Sequence, residues 1–268
     1  MESRILYTAR ENKPARKFSK KRIWFLLIFL GLLAFLVGAV YLLRLPYWQI
    51  KKIEVVSPGV LTSQEVRAKI EDFLGGRLLF FLPRSSFFLF KANSLAAVLE
   101  RDFPQIELLS FQKKFPDSLA AGVKERELFG IFCNEECVYI DKQGFAYDSA
   151  PNSSGSLLIK IKSDVAPAKI GSTVLDAGLM NEFLLISSGV GKASGVKVIA
   201  YEFSSKVSSE IKAETSEGFK IIFKRAGNFE NSFRALKTVL EQEIKDKRLQ
   251  LEYIDLRFGN KVFYRFKK

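Results

Sequence analysis

The sequence predicts an α+β body carried on one membrane-crossing helix, and three observations predict it. Residues Ile23 to Leu43 form an uncharged, apolar run of twenty-one residues, close to the roughly 20 that a helix needs to span hydrocarbon. Beyond the run, segments of helical periodicity are interspersed with short β-branched runs bounded by turn residues. The part of the chain after the run is about 220 residues, enough for one or two domains with cores of their own.

The flanks of the apolar run set its direction. Arg4, Arg10, Lys13, Arg16, Lys17, Lys20, Lys21 and Arg22 precede it, while the residues just after it offer only Arg44, Lys51 and Lys52. The positive-inside bias therefore keeps residues 1–22 cytoplasmic and sends the chain from about Leu45 outward. A cleaved signal peptide is the competing reading, since Val37 and Ala39 stand at cleavage spacing. The long basic tail and the apolar residues that continue to Leu43 weigh against it. Tyr47 and Trp48, directly after Pro46, suit rings anchored at the outer interface. The formal charge of +13 is unevenly spread: residues 1–22 hold eight basic and two acidic residues. The excess is largely a membrane-flanking tail suited to anionic headgroups. No aromatic and basic nucleic-acid module accompanies it, so no nucleic-acid partner is expected.

The first outer segment reads strand, helix, helix, strand, strand. Ile50 to Val56 is β-branched and ends at Ser57-Pro58-Gly59, a strand entering a turn. Thr62 and Glu65 form a capping box, Leu61 and Val66 a hydrophobic staple, and Gly75-Gly76 a stop. Val66, Ile70, Phe73 and Leu74 make that helix's buried stripe. Asn93 caps a second helix with Leu95, Val98, Leu99 and Phe103 on one face, ended by Pro104. Strands at Ile106–Lys113 and Leu119–Glu125 follow, joined by Phe115-Pro116-Asp117-Ser118.

A hairpin with Cys133 and Cys137 at its neck and Asn134-Glu135-Glu136 at its tip comes next. In an oxidising compartment this spacing fits a disulfide closing a short loop. The chain has no histidine, so a zinc site there would need carboxylates to complete it, and Ser-His-Asp and Cys-His catalysis are excluded. Gly189-Val-Gly-Lys-Ala-Ser is similar to a phosphate loop, but Ile186 stands at its first glycine and a helix precedes it, so the motif fails. Glu125 with Glu127, and Glu135 with Glu136, read as solvated positions. Nothing reads as catalytic, and no cofactor or metal is implied.

The remainder reads as mixed strands with two helices. Strands are expected at Leu157–Lys162, Val196–Phe203, Ser209–Thr215 and Phe219–Phe223, after a polar loop at Pro151-Asn-Ser-Ser-Gly-Ser. One helix carries Leu175, Leu179, Phe183 and Ile186 on a face, the other Phe229, Phe233, Leu236, Leu240 and Ile244. Near the C-terminus, Ile254, Leu256 and Phe258 alternate with Tyr253, Asp255 and Arg257, so that one face packs and the other is free to read a partner. After Gly259-Asn260, Lys261 to Phe266 is a last strand with nothing in sequence left to pair with. Such an edge can take an added strand. Its Lys261, Arg265, Lys267 and Lys268 read equally well as charges that blunt an edge against aggregation.

Taken together, Ile50-Lys-Lys-Ile-Glu-Val-Val, Thr62-Ser-Gln-Glu-Val, Phe103-Pro, Phe111-Gln-Lys-Lys-Phe-Pro-Asp-Ser-Leu and Val123-Lys-Glu-Arg resemble the POTRA domain of the FtsQ/DivIB cell-division proteins. Tyr139-Ile-Asp-Lys-Gln-Gly-Phe-Ala-Tyr resembles the family's entry into its second, β-rich domain, and Tyr253-Ile-Asp-Leu-Arg-Phe its closing strand. The chain departs from the family at Glu127-Leu128 and at Val60. The resemblance implies a tail over 1–22, a transmembrane helix over 23–43, a POTRA domain over 44–126 and a β-rich domain over 127–268. It implies a non-enzymatic divisome scaffold at the septum, in the plasma membrane, that binds FtsB- or DivIC-like and FtsL-like membrane proteins by strand addition and takes no small-molecule substrate. The implied contacts are Arg257, Phe258, Gly259 and Asn260, with Lys261 to Phe266, including Phe263 and Arg265, as the edge. Phe258 shares its strand face with Ile254 and Leu256, which leaves its exposure open. A POTRA-bearing envelope transport component and a membrane-tethered envelope enzyme are the alternatives.

Overall fold

The computed structural model describes residues 20–57, 59, 61–78, 82–152, 157–164, 168–204, 209–259 and 261–267. Arg4, Arg10, Lys13, Arg16 and Lys17 of the basic tail, Pro58 and Val60, residues 153–156 of the polar loop, Asn260 and Lys268 lie outside them. The chain is mixed α+β. Among the described residues the first element is helix α1 (Lys20–Arg44), followed by β1 (Lys52–Val56), α2 (Ser63–Gly75), β2 (Arg77–Leu78), β3 (Leu82–Pro83) and α3 (Ala92–Asp102). Strands β4 (Ile106–Lys114), β5 (Ser118–Glu125), β6 (Leu128–Cys133), β7 (Cys137–Asp141), β8 (Phe145–Ser149), β9 (Ile159–Ser163) and β10 (Ser172–Thr173) follow. Then come α4 (Ala177–Ser194), β11 (Val198–Phe203), β12 (Glu210–Thr215), β13 (Lys220–Lys224), α5 (Phe229–Val239), β14 (Leu251–Phe258) and β15 (Lys261–Phe266). Lys21–Arg44 is long and apolar enough to cross a membrane.

Two compact units divide the chain, one of residues 1–52, 72–90 and 113–119, the other of 53–71, 91–112 and 120–268. In the first, the large side chains of α1 are exposed along its length, and β2 and β3 pair as a two-stranded ribbon with β3 beside α1. A turn at Pro46–Trp48 leads into a backbone bridge between Gln49 and Ser86: Ile50 N donates to Ser85 O at 2.8 Å and Phe87 N to Trp48 O at 2.8 Å.

In the second unit Val66, Ile70, Leu95, Leu99, Ile106, Ala121 and Val123 are buried, and the small sheet has the order β1-β5-β4. The start of α2 follows the capping box in one arm, Thr62 N donating to Glu65 Oε2 at 3.4 Å. Glu125 is more than a solvated position: its carboxylate accepts from Leu61 N at 2.8 Å and Ser57 Oγ at 3.3 Å, tying down the turn before α2. Asn93 does not cap α3. The helix begins one residue earlier, with Lys91 at the cap and no side-chain bond to the open N–H groups, because the extended backbone that a capping side chain needs lies two residues upstream of Asn93.

The larger sheet of the second unit has ten strands in the order β10-β8-β7-β6-β9-β11-β12-β13-β14-β15. It is mixed: β6–β9, β9–β11 and β13–β14 run parallel and the remaining pairs antiparallel. Leu157 is not a strand residue. It is 97% exposed, and β9 starts at Ile159, where Gly130 allows close approach. Helices α4 and α5 pack against the sheet through Leu179, Phe183, Ile186 and Leu236, all buried, with Phe229 and Phe233 partly so, and the turns just after α5 bury Leu240 and Ile244 in the same core. The side chain of Asp176 caps α4 by accepting from Leu179 N at 2.9 Å, and Gly195 closes the helix in the left-handed region at φ 73°. The buried Tyr201 hydroxyl donates to Phe183 O at 2.8 Å and lies 2.6 Å from Ser187 Oγ, pinning β11 to α4. Gly189, in the segment similar to a phosphate loop, lies inside α4, where a Cβ would meet the Phe233 ring of α5. It is a packing glycine between two helices.

Candidate interaction edge at the C-terminal strands

The two ends of the ten-stranded sheet differ. At one end stands β10, two residues long; at the other stands β15, six residues long and, among the described residues, paired on one side only, with β14. A long open edge leaves a row of backbone donors and acceptors available for another strand. Its register with β14 runs Leu251↔Phe266, Tyr253↔Arg265, Ile254↔Tyr264, Asp255↔Phe263 and Phe258↔Lys261, with an irregularity between Asp255 and Phe258. Gly259 makes the turn at φ 69°.

That irregularity breaks the expected alternation. Ile254, Asp255 and Leu256 are consecutively buried, and Phe258 is exposed at 54% instead of joining them. Phe258 meets Phe263, itself 51% exposed, edge to face at 5.2 Å between centroids. The two rings form an apolar patch where the sheet ends. Arg265 is exposed and pairs with Glu252 at 2.9 Å, and Lys261 is exposed at the start of the strand.

Asp255 and Arg257 do not stand on an open reading face. Asp255 is buried and held in a fork by Arg257, with Nε donating to Oδ1 at 2.9 Å and Nη2 to Oδ2 at 2.6 Å, while Arg257 N also donates to Oδ1 at 3.1 Å. Arg257 Nη1 reaches Glu210 on β12, which in turn pairs with Lys212 at 3.3 Å. Burial raises the Asp255 pKa, and the hydrogen bonds and charge of Arg257 outweigh it, so the carboxyl sits below its usual range. The hydrogen bond to Asp255 raises Arg257 in return. Arg257 is therefore first a structural clasp. Glu210 was not visible from sequence as its partner, because only the order β12-β13-β14 brings the two near; the Asp-x-Arg spacing was the available signal for the other half of the clasp.

At the β6–β7 hairpin, Cys133 and Cys137 face each other in register and are joined by a disulfide. Elsewhere in the second unit, a cleft of about 570 Å³ is lined by Thr62, Glu65, Gln105, Tyr139, Tyr147 and Asp148, among others. Tyr139 and Tyr147 stack there at 6.3 Å, and burial, with Asp141 and Asp148 nearby, pushes the Tyr147 phenol up to about 12. Among the described residues no group of three or more Cys, Asp or Glu is placed to hold a metal ion. No family model matches this chain, and no curated protein matches it. The edge therefore has to be read from its own geometry.

Proposed function

We propose that the chain is a membrane-anchored, non-enzymatic scaffold of bacterial cell division, of the FtsQ/DivIB kind, that binds FtsB- or DivIC-like and FtsL-like membrane proteins by strand addition at β15. The observation that carries this reading is the six-residue open edge of β15 beside the exposed Phe258–Phe263 pair. Backbone hydrogen bonds along such an edge supply affinity and the adjacent rings supply an apolar anchor. The order β1, α2, α3, β4, β5 supports a POTRA domain over 44–126 preceding a β-rich domain over 127–268, with β2 and β3 as an inserted ribbon. Helix α1 supports a single crossing, and the charge on its N-terminal side supports a cytoplasmic tail with the body outside, at the septum.

The test is capture of co-expressed FtsB- or DivIC-like and FtsL-like partners by the full chain. Replacing Phe258 and Phe263 together by Ser should abolish capture with the circular dichroism spectrum unchanged, since both rings are half exposed. Undiminished capture by the folded variant would move the interface away from β15. The next candidate would be β4, a nine-residue edge of the small sheet with Leu108 59% exposed. A fluorescent fusion that spreads evenly round dividing cells would sink the division reading itself.

A further inference from the structure

We infer that Tyr47, Trp48, Phe87, Phe88 and Phe115 form a bilayer-docking surface, seated among acidic lipid headgroups at the interface where α1 leaves the membrane; this rests on the reading of α1 as a crossing. Three distant pieces of sequence supply these rings, and all belong to the first compact unit. Trp48 is the hub, with Tyr47 at 4.9 Å, Phe88 at 5.3 Å and Phe115 at 5.5 Å between centroids. Phe87 closes the ring of contacts at 5.8 Å from both Phe88 and Phe115.

Such rings would ordinarily be buried. Here Tyr47 is 61% exposed, Phe88 57% and Phe115 63%, so the cluster turns apolar area outward while its members brace one another. Contiguous exposed apolar surface of this kind marks an interaction site, and amphipathic aromatic rings concentrate at the headgroup level of membranes. Continuity names the occupant. Only Leu45 and Pro46 separate the end of α1 at Arg44 from Tyr47, and the backbone bridge from Trp48 to Phe87 holds the second pair of rings beside the first. Charge agrees: the segments 44–52, 72–90 and 113–119 contain seven basic residues (Arg44, Lys51, Lys52, Arg77, Arg84, Lys113 and Lys114) against Asp72 and Asp117. Lys113 lies over the Phe87 ring at 5.0 Å, a cation within the aromatic cluster. Basic side chains at this depth attract anionic headgroups.

The test places an environment-sensitive fluorophore on single thiols introduced as Phe88→Cys or Phe115→Cys in the full chain. The natural cysteines are bonded to each other and leave the new thiol as the one to label. Leu33→Cys, within α1, and Leu157→Cys, at 97% exposure, serve as lipid and water references. In phosphatidylcholine vesicles containing phosphatidylglycerol, probes at 88 and 115 should emit to the blue of the 157 probe and be quenched by brominated lipid. Replacing Lys51, Lys113 and Lys114 by Gln should reduce that quenching. Water-like emission at 88 and 115, with position 33 reporting hydrocarbon, overturns docking and leaves the crossing intact. Water-like emission at 33 overturns the crossing. Blue-shifted emission at 88 and 115 without lipid quenching overturns docking in favour of a protein occupant.

Discussion

Arg257 shows how one side chain can be misjudged from strand alternation. Its spacing from Tyr253 and Asp255 puts it on a free face, yet that face is covered at Asp255, which is buried, and Arg257 folds back to satisfy it. Arg257→Ala should therefore destabilise the fold, by about 1–3 kcal/mol, because it strips a buried acceptor of its partner; urea titration followed by circular dichroism would measure it. Arg257→Glu should cost more, by bringing a third carboxylate to Asp255 and Glu210. The depressed pKa of Asp255 fixes the pH dependence. Its contribution is present above the unfolded carboxyl value of about 3.9 and is lost as pH falls further toward the folded value. Wild-type melting temperature should drop steeply below about pH 4, and Asp255→Asn should be lower at neutral pH but flatter across that window. Gly189 is the second instructive residue. An alanine inside a helix ordinarily gains about 0.5–1 kcal/mol over glycine, but here the Cβ meets the Phe233 ring. Gly189→Ala should be destabilising, by about 1–3 kcal/mol, and Phe233→Leu in the same chain should recover part of the loss, a coupling that a double-mutant cycle reads directly. The sequence shows that this glycine is not a phosphate loop; it does not show which ring requires it.

At the level of elements, those with strong periodicity were legible and those made by distant pairing were not. Val66, Ile70 and Leu74 of α2, Leu179, Phe183 and Ile186 of α4 and Leu236 of α5 are buried as their spacing predicts, because a 3.6-residue period is a local property of the chain, while Phe73, Phe229 and Phe233 are only partly covered and Leu175 lies just before α4. The two-residue strands β2, β3 and β10 carry no period at all; β2 and β3 exist by pairing with each other, and β10 because β8, well before it in the chain, meets it. The chain after α5 likewise winds through wide and tight helical turns over Leu240–Gln250, still burying Leu240 and Ile244, which apolar spacing alone presents as one helix. The candidate edge was half legible: its strand and turn follow from alternation and Gly259, while the exposure of Phe258 depends on an irregularity that no spacing rule announces. The Cys133–Cys137 hairpin gives the element-scale prediction. Closing so short a loop constrains the unfolded chain little, so replacing both by Ser should cost about 2 kcal/mol or less. Calorimetry of the variant measures it, and alkylation of the unreduced wild-type chain should find no free thiol.

For the whole molecule, the proposed orientation of basic tail inside and body outside makes a direct prediction. Protease added to intact spheroplasts should digest the body from about Leu45 onward and spare residues 1–22; protection of the body with loss of the tail would reverse the orientation. The class of fold and the single apolar helix were legible because composition and period report them, whereas the strand order was not. In that order β9 sits between β6 and β11, and β14 lies parallel to β13 only after α5 has intervened. Such pairings join segments far apart in the chain and are slow to form. The ribosome releases β15 after every other strand of the ten-stranded sheet, and β15 has nothing to pair with until β14 is in place. Leu251, Ile254 and Leu256 of β14 belong to the core and Val262 and Phe266 of β15 pack against it, so interior and edge are completed together. Each strand laid down at that end of the sheet covers one open edge and presents another, so the edge that a partner meets passes outward from β13 to β14 and comes to rest on β15.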